Sequence, residues 1–349
     1  MSAEMVAHSS LATDLRSRRI LRYAFGSALA MAVAMALDWQ LSFMVPVMTL
    51  SFLATPDPCP TLRQGISFAS VVAAACLVAV LLSRVLLPFP LVYVPFMGLL
   101  LLRIFYAKAS GRSPLLTMWL LIAVLAIPLV AMMSPDIASM VVLGIIGAAA
   151  ATIAVVWIVY FFFPDPPEAA AGVEKPAAPT LASPTERLRV AAETTLVVLP
   201  VFVLFYTLQL AGSLLILIFI AILSSQPGFA QNYKAGIGLI LGNVIGGAIA
   251  IAFYETLVLV PSFSLLILLT LALGLLLGSR FHSDKKLAPL YGMAFSTVLL
   301  VIGSTTSGNA EADSKVSSRI VQIMAAVTYV VVAFGLLEHF RRKTKQEAA

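Results

Sequence analysis

Glu193 is the one carboxylate that falls clearly inside an apolar run of membrane-spanning length, about one turn from its cytoplasmic end and followed by Thr194 and Thr195. An ionised side chain inside such a run costs roughly 2.5 to 3.5 kcal/mol on insertion scales, so each one is a functional candidate. Partial burial raises a carboxyl pKa towards neutrality, and a group so tuned can take up and release a proton, which makes Glu193 the candidate for proton coupling. The plainer alternative is an ion pair at the cytoplasmic edge, with Arg189 at i,i+4 spacing or with Lys234.

Other residues could meet an anionic solute. Arg319, one turn into the last apolar run from the outer side, and Arg84, near the outer end of the third, are placed to attract a departing anion or to snorkel to lipid headgroups. Pro128 in the fifth run and Gly303 in the eleventh are expected helix breaks at equivalent positions, where backbone groups turn towards a cavity. Ser304 and Thr305 follow the second break and Asn243 stands beside a glycine row, so all three can hydrogen-bond a carboxylate or a phenol. Bent-helix packing with no ligand is the competing reading of the same residues. Gly238, Gly242 and Gly246 recur every four residues, which lets two helix backbones approach closely or, alternatively, lines a pore with a bare face.

Catalytic chemistry finds no foothold. The three histidines, His8, His282 and His339, fall in the leader, a loop and the C-terminal boundary, and no Gly-x4-Gly-Lys-Ser/Thr phosphate loop occurs. No enzyme, metal or cofactor is expected, so any transport would draw on an ion gradient or on a partner. Cys59 in a cytoplasmic loop and Cys76 inside a span cannot form an extracytoplasmic disulfide.

The elements that must position these residues are membrane helices. The chain is 61% hydrophobic and 11% charged, with a mean hydropathy of +1.02, far from the composition of soluble domains. Twelve apolar runs are predicted, at 20–38, 40–55, 66–87, 90–107, 114–133 and 137–162, then at 190–208, 211–226, 235–256, 260–279, 288–306 and 315–338. With both termini cytoplasmic, only Arg84, Lys315 and Arg319 of the 22 Lys and Arg residues fall outside, as the positive-inside rule requires. The net charge of +6 is thereby assigned to membrane orientation and contact with anionic lipid, with no nucleic-acid partner. No cleavable signal peptide is expected, since a polar leader precedes the first run without a small-residue cleavage site.

The sequence also matches itself. A shift of 171 positions puts Pro56 on Pro227, Arg63 on Lys234, Gly65 on Gly236 and Pro90 on Pro261; nearby shifts put Leu21-Arg22 on Leu188-Arg189, Gly98 on Gly274 and Pro114 on Pro289. Six runs per half is an even number, so the expected fold is an all-α polytopic protein of two parallel six-helix pseudo-repeats. Its expected organisation is a cytoplasmic leader at 1–17, membrane halves at 18–163 and 187–340, a Pro- and Ala-rich linker at 164–186, and a basic cytoplasmic tail at 341–349. The region of the first half equivalent to Glu193, near Phe25-Gly26, has no acid, so coupling through Glu193 would make the halves functionally unequal.

On Gln226-Pro227, Lys234 and Gly242/Gly246 in the second half, and more loosely Pro56, Thr61-Leu62-Arg63 and Gly65 in the first, the sequence resembles the fusaric-acid-resistance and aromatic-acid-exporter superfamily. It is closest in pattern to the short branch of uncharacterised two-half proteins, of the DUF2955 kind. The tryptophan and tyrosine that often precede the proline step are absent, and Leu239 to Leu241 stand where an arginine usually precedes the glycine row. The resemblance implies export of small organic acids, aromatic ones first, across the bacterial inner membrane, beside a periplasmic adaptor of the membrane-fusion type. A non-transporting membrane scaffold is the expected alternative, and glycine stripes leave self-association open.

Overall fold

In the computed structural model, residues 3–37, 41, 43–55, 58–165, 183–209, 233–283, 285 and 287–306 are described, together with isolated residues at 216–224 and 321–336. The described elements are helical, as lipid demands of a chain whose backbone polar groups must find partners internally. They are α1 (Ala3–Leu37), α2 (Met44–Leu53), α3 (Leu62–Leu86), α4 (Pro90–Ala109), α5 (Pro114–Met133), α6 (Pro135–Phe162), α7 (Pro184–Thr207), α8 (Tyr233–Leu259), α9 (Phe263–Phe281) and α10 (Ala288–Thr306). Among the described residues, nine helices are long and apolar enough to cross a membrane.

Local chemistry sets where these helices begin. Proline occupies the first turn of α4, α5 and α7, where its missing N–H leaves no bond unmade. Ser113, Ser183 and Ser262 precede α5, α7 and α9, and each side chain accepts a hydrogen bond from a first-turn N–H, those of Leu116, Glu186 and Leu265. Thr61 and Gln64 bond reciprocally at the start of α3, at 2.9 and 3.3 Å.

The predicted second span is corrected. Only Met44–Leu53, ten residues, form a helix there, about 15 Å of rise against a hydrocarbon core of about 30 Å. Its Met44, Val45, Met48 and Leu50 are buried, so α2 is a short helix held by protein. The leader expected at 1–17 is largely helical and runs without a break into the first span as α1. The spans predicted at 211–226 and 315–338 lie mostly outside the described residues.

The chain forms two compact units, one of residues 1–69, 147–176 and 241–316, the other of 70–146, 177–240 and 317–349. Each draws helices from both of the stretches read above as halves. In the first unit α1 packs against α2, α9 and α10, while α10 also meets α9 and α2. Small residues make the α1–α9 contact close: a methyl added at Gly274 would sit 2.7 Å from the Ala24 Cα, and one at Gly278 would sit 2.9 Å from the Tyr23 ring. Tyr23 is fully buried there, with its ring 5.4 Å from that of Phe281 and 5.5 Å from that of Phe295.

In the second unit α4 packs against α7 and α5, and α5 against α7. Tyr93 lies 5.5 Å from Tyr206 between ring centroids, and the Tyr206 hydroxyl donates to the Leu87 carbonyl at 2.8 Å. Gly98 supplies the close approach, since a methyl there would stand 3.2 Å from a Leu199 methyl group.

Candidate functional site

The most unusual group in the first unit is an arginine withdrawn from solvent. Arg22 lies two turns into the membrane-length part of α1 and is 3% exposed. Its Nη2 donates to Oδ1 of Asp165, three residues beyond the end of α6, and its guanidinium carbon stands 4.4 Å from the centroid of the Tyr160 ring. Its Nε has no hydrogen-bond partner among the described residues. A buried guanidinium needs a partner to offset lost hydration, and both an anion and an aromatic face supply one here.

Sequence places these groups by short local rules. Tyr160 and Trp157 are three residues apart and so share one side of α6; Trp157 Nε1 donates to the Pro60 carbonyl at 2.8 Å, which holds the segment before α3 against that helix. Gly26, one turn beyond Arg22, lets α1 approach Leu53 and Val159, since a methyl there would run into the Leu53 side chain and stand 3.3 Å from that of Val159. Arg18, one turn before Arg22, pairs with Asp14 and donates to the Pro164 carbonyl, both at 2.9 Å. The Pro164-Asp165 segment is thus fastened to α1 by two arginines one turn apart.

Two titratable groups flank this cluster outside the spans. Desolvation first, then the Asp165 charge, push the Cys59 thiol pKa up, while Arg22 pulls it down. His282, at the end of α9, has its pKa lowered, first by desolvation and then by Arg19, Arg16 and Arg22, against a hydrogen bond to the Gly278 carbonyl that raises it.

The residues singled out by sequence fall elsewhere. Glu193 accepts a hydrogen bond from Arg189 Nε at 3.1 Å, with the side chains 24% and 50% exposed. Glu193 thus meets Arg189, one of the two expected partners; the side chain of the other, Lys234, lies outside the described residues. Thr194 and Thr195 turn their hydroxyls to the Val190 and Ala191 carbonyls, at 2.8 and 2.7 Å. Asn243 is buried, and its Oδ1 accepts from the Thr297 hydroxyl at 2.8 Å, tying α8 to α10. Gly242 and Gly246 belong to the same interface: a methyl on the first would lie 3.0 Å from Met293 Cβ, one on the second 2.5 Å from the Ala294 carbonyl oxygen. Lys234 and Gly238 are in the first two turns of α8, where only the backbone is described.

Pro128 and Gly303 do not break their helices. Both α5 and α10 run on through them; membrane helices tolerate an internal proline, and at Gly303 the missing side chain makes room for Phe43, whose Cβ would be 2.8 Å from an added methyl. Ser304 and Thr305 donate to the Val301 and Ile302 carbonyls, at 3.0 and 2.9 Å. Arg84 is exposed in the last turn of α3 and Arg63 is exposed in its first. Pro56, Gln226, Pro227 and Arg319 lie outside the described residues.

Arg22, Tyr160 and Asp165 escaped the sequence reading because Arg22 was one of many cytoplasmic cations. The usable signal was the self-match, which sets Leu21-Arg22 on Leu188-Arg189 and so pairs Arg22 with an arginine that has an acid within reach.

Residues 19–159 match the model of a family described as a protein of unknown function, DUF2955. The matched stretch runs from α1 into the last turn of α6, so it contains Arg22 and ends one residue before Tyr160. No curated protein and no solved structure matches the chain.

Proposed function

We propose that this protein is a secondary exporter, driven by protons, of small organic acids and above all aromatic ones, across the bacterial inner membrane. The observation that carries this reading is Arg22, a buried cation among membrane helices with one nitrogen unpartnered among the described residues and an aromatic ring on its face. A guanidinium in low dielectric binds a carboxylate far more strongly than one in water. Glu193 is the proposed proton carrier, held in reserve by Arg189.

The fold enters the proposal as twelve spans in two parallel six-helix repeats with both termini cytoplasmic, of which the helix pairings are the support. In the repeat register α1 corresponds to α7, α4 to α9 and α5 to α10. The contacts of α1 with α9, α9 with α10 and α1 with α10 then have counterparts in those of α7 with α4, α4 with α5 and α7 with α5. Each three-helix group takes its first helix from one repeat and the other two from its sister. A periplasmic membrane-fusion adaptor belongs to the same proposal. The scaffold alternative is weakened by Gly242 and Gly246, whose bare face is covered by α10 of the same chain.

The test is survival of a deletion strain on a panel of aromatic and aliphatic carboxylic acids, complemented by wild type or by Glu193→Gln at matched membrane levels. Selective sensitivity rescued by wild type alone supports acid export with coupling at Glu193. Equal rescue by both chains removes Glu193 from the coupling role, and sensitivity to no acid removes the substrate class.

A further inference from the structure

Asp165 presents to Arg22 the same chemical group that an exported organic acid would present. Its carboxylate lies on a guanidinium that is 3% exposed, on the side that the proposed topology makes cytoplasmic. Its position is three residues past α6, on a segment attached to α1 otherwise through Arg18 and the Pro164 carbonyl. Arg18 is exposed, so its hydrogen bond to that carbonyl competes with water and holds the segment less firmly than the buried pair does. The guanidinium also carries an aromatic face, the Tyr160 ring, as a receptor for an aromatic acid would.

We infer that Arg22 is a carboxylate-binding site and that Asp165 is its resident occupant, displaced by the carboxylate of an incoming organic acid. This rests on the export reading for its ligand class and adds to it a location and a competitor. While Asp165 is seated the site is closed to other anions, so the chain carries no unpaired buried charge between transport events. An arriving monocarboxylate replaces one oxygen acceptor by another at Arg22, can reach the unpartnered Nε as a second donor, and brings an aromatic ring to apolar surroundings. Displacement frees the Asp165 carboxylate.

The competition has a direct consequence. Apparent affinity is the intrinsic affinity reduced by the fraction of molecules in which the site is open. If that fraction is roughly a tenth, removing the competitor tightens binding about tenfold.

The experiment is equilibrium binding of radiolabelled benzoate to the full-length purified chain in nanodiscs, with benzamide as the uncharged competitor. Asp165→Asn is expected to bind benzoate about tenfold more tightly than wild type, Arg22→Lys to lose most of the affinity, and benzamide not to compete. Unchanged or weaker binding by Asp165→Asn, or competition by benzamide, overturns the inference. Should Arg22→Lys fail to insert, the Asp165→Asn comparison alone decides. Export is read separately in proteoliposomes. Transport by wild type with benzoate binding indifferent to Asp165 defeats the displacement idea and leaves the exporter standing. Asp165-sensitive binding without transport does the reverse.

Discussion

Gly246→Ala is the sharpest structural perturbation the fold offers. The added methyl would lie 2.5 Å from the Ala294 carbonyl oxygen, 2.8 Å from the Thr297 Cβ and 2.9 Å from the Ala294 Cα. Two of the three are backbone atoms, so no side chain can swing aside. Restoring an ordinary contact of about 3.4 Å requires α8 and α10 to part by roughly 0.9 Å. That displacement stretches the Thr297–Asn243 hydrogen bond, now 2.8 Å, beyond useful length. Overpacking costs about 1 to 3 kcal/mol, and a lost interhelical hydrogen bond in a membrane adds about 0.6 kcal/mol, at most about 1.7. The expected destabilisation is therefore on the order of 2 to 4 kcal/mol. The assay is thermal denaturation of the detergent-solubilised chain, with Gly335→Ala as control because a methyl there meets nothing within 4 Å. Gly246→Ala should melt several degrees below wild type and the control should not. Equal melting of the two variants would refute the claim that the glycine row serves the α8–α10 contact.

Three further outcomes follow from the same geometry. Asp165→Asn, in a Cys76→Ser background, should alkylate faster at Cys59 near neutral pH, because it removes the charge that raises this thiol and leaves Arg22, which lowers it; slower alkylation would contradict the placement of all three groups. His282 has its folded pKa below the ordinary 6.5, so the native state binds fewer protons than the unfolded one. Its stabilising contribution is complete above pH 6.5 and is lost as pH falls through the folded value, and thermal melts of His282→Gln should show a smaller acid-side decline than wild type. Arg189→Gln should change thermal stability by no more than about 0.5 kcal/mol, the size of an exposed i,i+4 pair, and a much larger loss in the melt would place that pair deeper in the fold than its exposure shows.

Much of the architecture was legible because its signals are local. The runs expected at 90–107 and 114–133 begin where α4 and α5 do, at Pro90 and Pro114, whereas α7 begins at Pro184, six residues before its expected run and inside the stretch expected as linker. The short α2 was not legible, since an apolar run of sixteen residues at 40–55 does not reveal where its helix stops. Pro128 and Gly303 misled for a physical reason: a proline or glycine in sequence signals freedom to break, but a neighbour decides whether it is used, and at Gly303 the neighbour is Phe43. The glycine row carries no signal of what covers it: Gly242 and Gly246 meet α10, some fifty residues further along the chain. Arg22 is the clearest case, because its partner Asp165 is 143 positions distant and only tertiary structure turns a positive-inside arginine into a buried ion pair.

The central claim, proton-driven export of organic acids, is tested most directly in proteoliposomes. Vesicles would be loaded with a radiolabelled aromatic dicarboxylate such as phthalate, too highly charged to cross lipid unaided, and diluted into more acidic medium. The account predicts release faster than from protein-free vesicles, accelerated by the proton gradient with wild type but not with Glu193→Gln. Release no faster than from protein-free vesicles, for phthalate and for every other poorly permeant aromatic acid tried, would contradict it.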